Sequence, residues 1–172
     1  LKIGQIVGST APVLEQPQMV VFAGDHGLTA RGISAFPSDV TWQMVENFLA
    51  GGAAVSVLSK QNGIALTVVD CGVARDIAPR EAAPGQPSLL LRKVAPGTND
   101  ASQGPAMSTD QCAQALTNGM ELVRDLPGNA LLLGEMGIGN TSVASLLLAR
   151  LCGLPIAECT GAGTGLDAAG IE

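Results

Sequence analysis

Ala130-Leu131-Leu132-Leu133-Gly134-Glu135-Met136-Gly137-Ile138-Gly139-Asn140-Thr141-Ser142 changes its pattern twice within thirteen positions. It opens on an unbroken apolar run, the signature of a strand buried on both faces. Glycines at 134, 137 and 139 then turn the backbone, and a helix is expected from about 141 to 151. Gly153 and Pro155 stand where a helix of that length should stop. A strand that turns directly into a helix is the building unit of an α/β fold with a parallel sheet.

The same unit recurs on the N-terminal side. Met19-Val20-Val21-Phe22-Ala23 is a wholly apolar run that ends in Gly24-Asp25-His26-Gly27. A helix is expected over 38–50, with Pro37 before it and Ser38 as N-cap, and with Val40, Met44, Val45 and Phe48 on one face. Gly51-Gly52 either breaks that helix or allows close packing, and a helix over 53–61 ends at Gly63. Residues 65–70 read as a second buried strand. From 74 to 104 the pattern weakens, with one short strand expected at Leu89-Leu90-Leu91; so long a connection suggests a functional or interface loop. Ser108-Thr109-Asp110-Gln111 forms a capping box for a helix whose apolar stripe is Cys112, Leu116, Met120 and Val123. The expectation is an α/β chain with a three-layer, Rossmann-like, mainly parallel sheet flanked by helices.

Composition narrows the function. The 172 residues hold 9 Lys+Arg against 15 Asp+Glu, a formal charge of −6, with 47% hydrophobic residues and 22 glycines. That apolar fraction excludes a disordered chain. The acidic balance argues against a nucleic-acid partner, which needs clustered cations, and 2% aromatics leave little surface for stacking bases. Cys71, Cys112, Cys152 and Cys159 show no CxxC pair, and all are expected as buried free thiols. With His26 the single histidine, no His-rich metal site is expected. No run approaches the ~20 apolar residues of a membrane span, and the expected location is the cytoplasm. The chain starts at Leu1 and stops at Glu172 after a glycine-rich loop; residues 1–172 are expected to be one α/β domain, part of a larger one that extends past both ends.

Ligands of parallel α/β sheets bind at the carboxyl ends of the strands. Three loops occupy that place: 24–27, 134–142 and Gly161-Ala162-Gly163-Thr164-Gly165. The second resembles a phosphate site, with free N–H groups at a helix start. It lacks the GK[ST] ending of an ATP-hydrolysing loop and has Ser142 where a dinucleotide fingerprint wants glycine. A tight turn with no ligand is the competing reading. Glu135 is unwelcome beside a phosphate unless it points to a ribose hydroxyl or a base nitrogen; otherwise it is a structural glutamate. Phe36, Trp42 and Phe48 cluster in a chain almost without aromatics. Phe48 is expected in the core, while Phe36 and Met44 remain either core or pocket wall. Asp25 and His26 could pair as acid and base or as part of a metal site; ordering the loop is the expected role.

Val21-Phe22-Ala23-Gly24-Asp25-His26-Gly27-Leu28, Ser34-Ala35-Phe36-Pro37, Asn47-Phe48-Leu49-Ala50-Gly51-Gly52-Ala53-Ala54, Val69-Asp70-Cys71-Gly72-Val73, Gly97-Thr98-Asn99-Asp100 and Gly134-Glu135-Met136-Gly137-Ile138-Gly139-Asn140-Thr141 resemble, in order and spacing, the nicotinate-nucleotide–dimethylbenzimidazole phosphoribosyltransferase family. The resemblance runs from about residue 15 to the end and corresponds to the first half of such an enzyme. It implies transfer of phosphoribose from nicotinate mononucleotide to 5,6-dimethylbenzimidazole, giving α-ribazole 5′-phosphate and nicotinate, in assembly of the cobalamin nucleotide loop. Configuration at the anomeric carbon inverts, and neither metal nor cofactor is used.

Residue by residue, the resemblance implies that the amides of Met136, Gly137, Ile138 and Gly139 bind phosphate and that Glu135 is an active-site carboxylate. Phe36, Met44 and Met136 would surround the benzimidazole, and Asn140, Thr141, Gly161 and Gly163 would line the nucleotide. The family's proton-accepting glutamate, in a Gly-Glu-Gly-Ser-Gly motif, and a basic residue that assists the phosphate have no counterpart in residues 1–172. Residues 1–172 alone are therefore expected to turn over little substrate. A homodimer is also implied. The alternative is a non-catalytic nucleotide- or base-binding paralogue; a generic α/β phosphate-sugar enzyme fits the quoted motifs less well.

Overall fold

In the computed structural model, which describes residues 1–163, 165, 167 and 171, an exposed helix α1 (Lys2–Val7) precedes the central strand, β1 (Gln18–Gly24). β1 carries the first valine-rich run, and both of its edges are paired. On one side lies β2 (Ala65–Gly72), followed outward by β3 (Ser88–Leu91); on the other lies β4 (Leu131–Met136). The order β3-β2-β1-β4 is parallel throughout. Chain direction across the sheet therefore reverses at β1, and the carboxyl ends of β1 and β4 flank the crevice where such sheets bind ligands.

Alternation along the strands divides the core in two. Val21, Ala23, Leu66 and Val68 face α2 (Val40–Leu49) and α3 (Ala54–Gln61), where Val45 and Phe48 meet them. Val20 and Val69 face the other way, toward Leu122 of α4 (Thr109–Asp125). Val20, Val45, Val68, Val69 and Val73 are fully buried, each worth roughly 1.5–3 kcal/mol of transfer free energy. The helices on both faces make the three layers that the sequence pattern implies. Beyond β4 follow α5 (Asn140–Cys152), closed by Gly153 in the left-handed conformation, and a short α6 (Ile156–Cys159).

The strand expectations hold, including the short one at 89–91, and the capping box of α4 forms as read: Ser108 Oγ accepts from the Gln111 N–H at 3.1 Å, and Gln111 Oε1 accepts from the Ser108 N–H at 2.8 Å. Four expectations need correction. α2 begins at Val40 and Ser38 does not cap it; two tight turns, Val40 N–H to the Pro37 carbonyl and Thr41 N–H to the Ser38 carbonyl, lead the chain in. The predicted α4 stripe of Cys112, Leu116, Met120 and Val123 points outward, because the helix meets the sheet through Leu122, with Ala115 and Gly119 on that side bordering a small cavity. The leucines of β4 are exposed, up to 67% at Leu133, because among the described residues β4 is the outermost strand on that side. Finally, the cysteines are free thiols, but Cys112 and Cys152 lie on the surface.

Candidate functional site

The glycine turn follows β4 directly, as read from the sequence. Gly137 closes against β1: a Cβ there would collide with the Gly24 carbonyl oxygen and with Asn140 Oδ1. Gly139 has φ +91°, a left-handed conformation that side chains resist, and serves as N-cap of α5 with no side-chain hydrogen bond. The Asn140 N–H is spent on the Gly137 carbonyl, so the amides of Thr141 and Ser142 are the first-turn donors that face an anion. Ile138 behaves differently. Its N–H donates to Thr41 Oγ1 at 3.1 Å, and both residues are buried. The turn is thus tied to α2, and the Ile138 amide is already engaged.

Around the turn, Ile33, Ser34 and residues 135–141 line a small cleft of about 200 Å³. It borders a groove of about 450 Å³ along α5, lined by Thr141, Ser145, Cys159, Gly161 and Gly163 among others. Ile33 and Thr141 belong to both. The structure therefore gathers Glu135, Met136, Gly137, Ile138, Gly139, Asn140, Thr141, Gly161 and Gly163 along one continuous depression. Thr164 of the third loop lies outside the described residues. A larger groove, about 820 Å³, opens at the opposite end of the sheet beside Ala65, Leu66 and Ser88. Among the described residues Lys60 is the one charged side chain in its lining, and the groove lies at the amino ends of β2 and β3, away from every chemical motif.

A chain of hydrogen bonds crosses the crevice. The Asn140 side-chain amide donates to Glu135 Oε2, and Asn140 Oδ1 lies 2.6 Å from His26 Nε2. His26 and Asp25 part company: Asp25 Oδ2 accepts the Ala74 N–H at 2.7 Å, ordering the loop after β2 as expected, while His26 turns to the glycine turn. Asp70, fully buried, does similar work by accepting from the amides of Gly72 and Val73. Among the described residues no group of three or more His, Cys, Asp or Glu could hold a metal ion. Burial, reinforced by the charge of Asp70, pushes the Cys71 thiol up to about 11, so it stays protonated near neutral pH and is a poor nucleophile.

The expected base pocket is assembled only in part. Met44 and Met136 each pack on the core cluster that faces α2, and Phe48 is buried in that cluster as expected. Phe36 stands on the loop before α2, 51% exposed. Trp42 instead carries the Arg75 guanidinium 4.1 Å from its ring centroid. Thr41 and the His26–Asn140 link were missed from sequence; Thr41 gave no signal beyond its helical position.

A phosphoribosyltransferase family model matches residues 1–172, the entire chain. The chain belongs to that phosphoribosyltransferase family. It is 70% identical over 171 residues to the nicotinate-nucleotide–dimethylbenzimidazole phosphoribosyltransferase of Variovorax paradoxus, covering 99% of the chain and 47% of that protein. It is 54% identical over 173 residues to the protein of the same name from Dechloromonas aromatica, covering 48% of it. The crystal structure of CobT from Thermus thermophilus superposes with a TM-score of 0.88 at 41% identity, over 99% of this chain and 50% of that one. The chain thus spans about half the length of the family relatives it matches. Among the described residues no helix is long and apolar enough to cross a membrane.

Proposed function

We propose that the protein carrying this chain transfers phosphoribose from nicotinate mononucleotide to 5,6-dimethylbenzimidazole, and that residues 1–172 supply its phosphate and ribose contacts. The observation that carries the reading is the uncapped start of α5 behind a glycine turn, set at the β1–β4 crevice with a carboxylate at its edge. The choice of substrates is supported by the names of relatives 70% and 54% identical.

In this reading the amides of Gly137, Gly139, Thr141 and Ser142 hold the 5′-phosphate, whose charge is favoured at a helix N-terminus. Ile138 contributes by fixing the turn, since its own amide is spent on Thr41. Glu135 keeps one oxygen on Asn140 and offers the other to a ribose hydroxyl. Thr141, Gly161 and Gly163 border the sugar, while Met44, Met136 and Phe36 wall the acceptor. The benzimidazole nitrogen attacks the anomeric carbon, the bond to nicotinate breaks on the opposite face, and the acceptor's proton passes to a carboxylate outside residues 1–172. Holding both reactants in line is where most of the acceleration arises. No cofactor is required by these steps. The same reading makes residues 1–172 part of one larger α/β domain in a cytoplasmic homodimer.

The test is to incubate the full-length gene product with nicotinate mononucleotide and dimethylbenzimidazole and follow products by chromatography and mass. α-Ribazole 5′-phosphate and nicotinate should appear in equal amounts. Tight binding of the mononucleotide with no transfer to any benzimidazole would sink the proposal and favour a binding protein.

A further inference from the structure

We infer that Asn140 and His26 form a clamp that positions the Glu135 carboxylate, with His26 serving as a fixed N–H donor and not as an acid or a base. The inference rests on the proposed function for its activity arm, while its structural arm stands alone. Glu135 lies near the end of β4 and is exposed. A carboxylate there would ordinarily sample several rotamers. Its partner is the Asn140 side chain.

Donor and acceptor rules then fix every group in the chain. An ionised carboxylate only accepts, so the Asn140 NH2 must face Glu135 and its Oδ1 must face His26. Oδ1 also only accepts, so His26 Nε2, 2.6 Å away, must carry a proton. Both the neutral Nε2–H tautomer and the imidazolium satisfy this, whereas the Nδ1–H tautomer would set two acceptors face to face.

The backbone around His26 is braced to hold the ring. Its carbonyl accepts from the Thr29 N–H at 3.1 Å and from Thr29 Oγ1 at 2.7 Å. The next residue, Gly27, donates its N–H to the Thr98 carbonyl at 3.0 Å. On the other side the Asn140 N–H donates to the Gly137 carbonyl at 3.1 Å, so the clamp and the glycine turn form one unit. β1 and β4 contribute one end each. The carboxylate is held before substrate arrives, which is what preorganisation requires. His26 and Asn140 are positioning residues by this argument; Glu135 is the group that would meet substrate.

The experiment uses the full-length protein and four variants, three for kinetics and Asn140→Ala for spectroscopy. His26→Gln places an amide N–H near the position of Nε2 and should keep kcat/KM within about threefold. His26→Leu removes the donor and should lower kcat/KM by about 10- to 100-fold, the scale of a small misplacement of a reacting group. Asn140→Asp turns a second carboxylate on Glu135 and should lose more than His26→Leu. If Gln fails as badly as Leu, His26 acts by proton transfer and the inference is overturned. If Leu is as active as wild type, the clamp does not matter and the inference is likewise overturned.

Nitrogen-15 NMR of the imidazole, assigned by its loss in His26→Gln, gives a readout apart from turnover. The expected result at neutral pH is a proton on Nε2, slow to exchange in wild type and fast in Asn140→Ala. A bare Nε2 with protonated Nδ1 refutes the clamp. A wild-type protein that shows the expected NMR signature yet makes no α-ribazole phosphate refutes the proposed function and leaves the clamp standing.

Discussion

Replacing Thr41 with valine removes one oxygen and almost no volume. Thr41 is completely buried at the start of α2, and its Oγ1 is the acceptor for the Ile138 N–H at 3.1 Å. In the valine variant that amide stays buried with no acceptor, at a cost of about 1–3 kcal/mol. A domain of 150–250 residues loses roughly 2–4 °C in Tm per kcal/mol and a longer one less, so thermal unfolding of the full-length protein should shift down by a few degrees. Thr41→Ser keeps the hydroxyl and deletes one methyl, costing about 0.8 kcal/mol in transfer plus a small cavity term. The comparison carries the logic: valine should be the worse of the two although it preserves packing. The apparent Kd for nicotinate mononucleotide, measured by calorimetry, should weaken for valine and hold for serine, because only valine frees the turn. A valine variant as stable as wild type, or less damaged than serine, would refute the claim that this hydroxyl holds the turn.

Three further outcomes follow from described geometry. Gly137→Ala should abolish mononucleotide binding measured by calorimetry, since the new methyl collides with the Gly24 carbonyl oxygen and Asn140 Oδ1; unchanged binding would mean that the turn does not press on β1. Cys71 should resist iodoacetamide at pH 8 while Cys112 and Cys152 are labelled, as peptide mass analysis can show, because its thiol ionises only toward pH 11. Its raised value makes the folded state hold a proton that the unfolded state gives up, so its contribution to stability is present below the ordinary thiol range and lost as pH rises through about 11. Ser108→Ala removes the Oγ that accepts from the Gln111 N–H, while the backbone Ser108 N–H keeps Gln111 Oε1, and should destabilise by about 1 kcal/mol in a denaturant titration; no change would mean that α4 gains nothing from its cap.

The sequence was most readable where one strand or turn accounts for itself. Val20, Val21, Val68 and Val69 are apolar without alternation and lie in a sheet covered on both faces. Gly137 and Gly139 marked a turn that needs them. It was least readable where size and contact part ways. On α4 the large residues Leu116 and Met120 drew the stripe, yet Leu122 alone of the helix is buried against the sheet, and Ala115 and Gly119 border a small cavity beside it. Leu131, Leu132 and Leu133 repeat the apolar pattern of β1 and β2 but sit, among the described residues, on the outermost strand, and periodicity carries no word about neighbours. At the site, Glu135 and Asn140 are five residues apart and His26 is 114 residues from Asn140. Only the pairing of β1 with β4 brings His26 there, and no local pattern encodes that pairing.

The central position of β1 also bears on when the site comes into being. Pairing β1 with β2 joins Gln18 to Ala65 across 47 residues, while pairing β1 with β4 joins Gln18 to Leu131 across 113. Closing the longer loop costs about 0.8 kcal/mol more in chain entropy by the logarithmic rule, and a growing chain must present far more of itself before the pairing is possible. The half of the sheet that faces α3 can therefore assemble on the ribosome well before β4 emerges. The crevice, with His26 on its early wall and Asn140 on its late one, is a product of the last long-range step, so its binding competence marks the completion of this part of the fold.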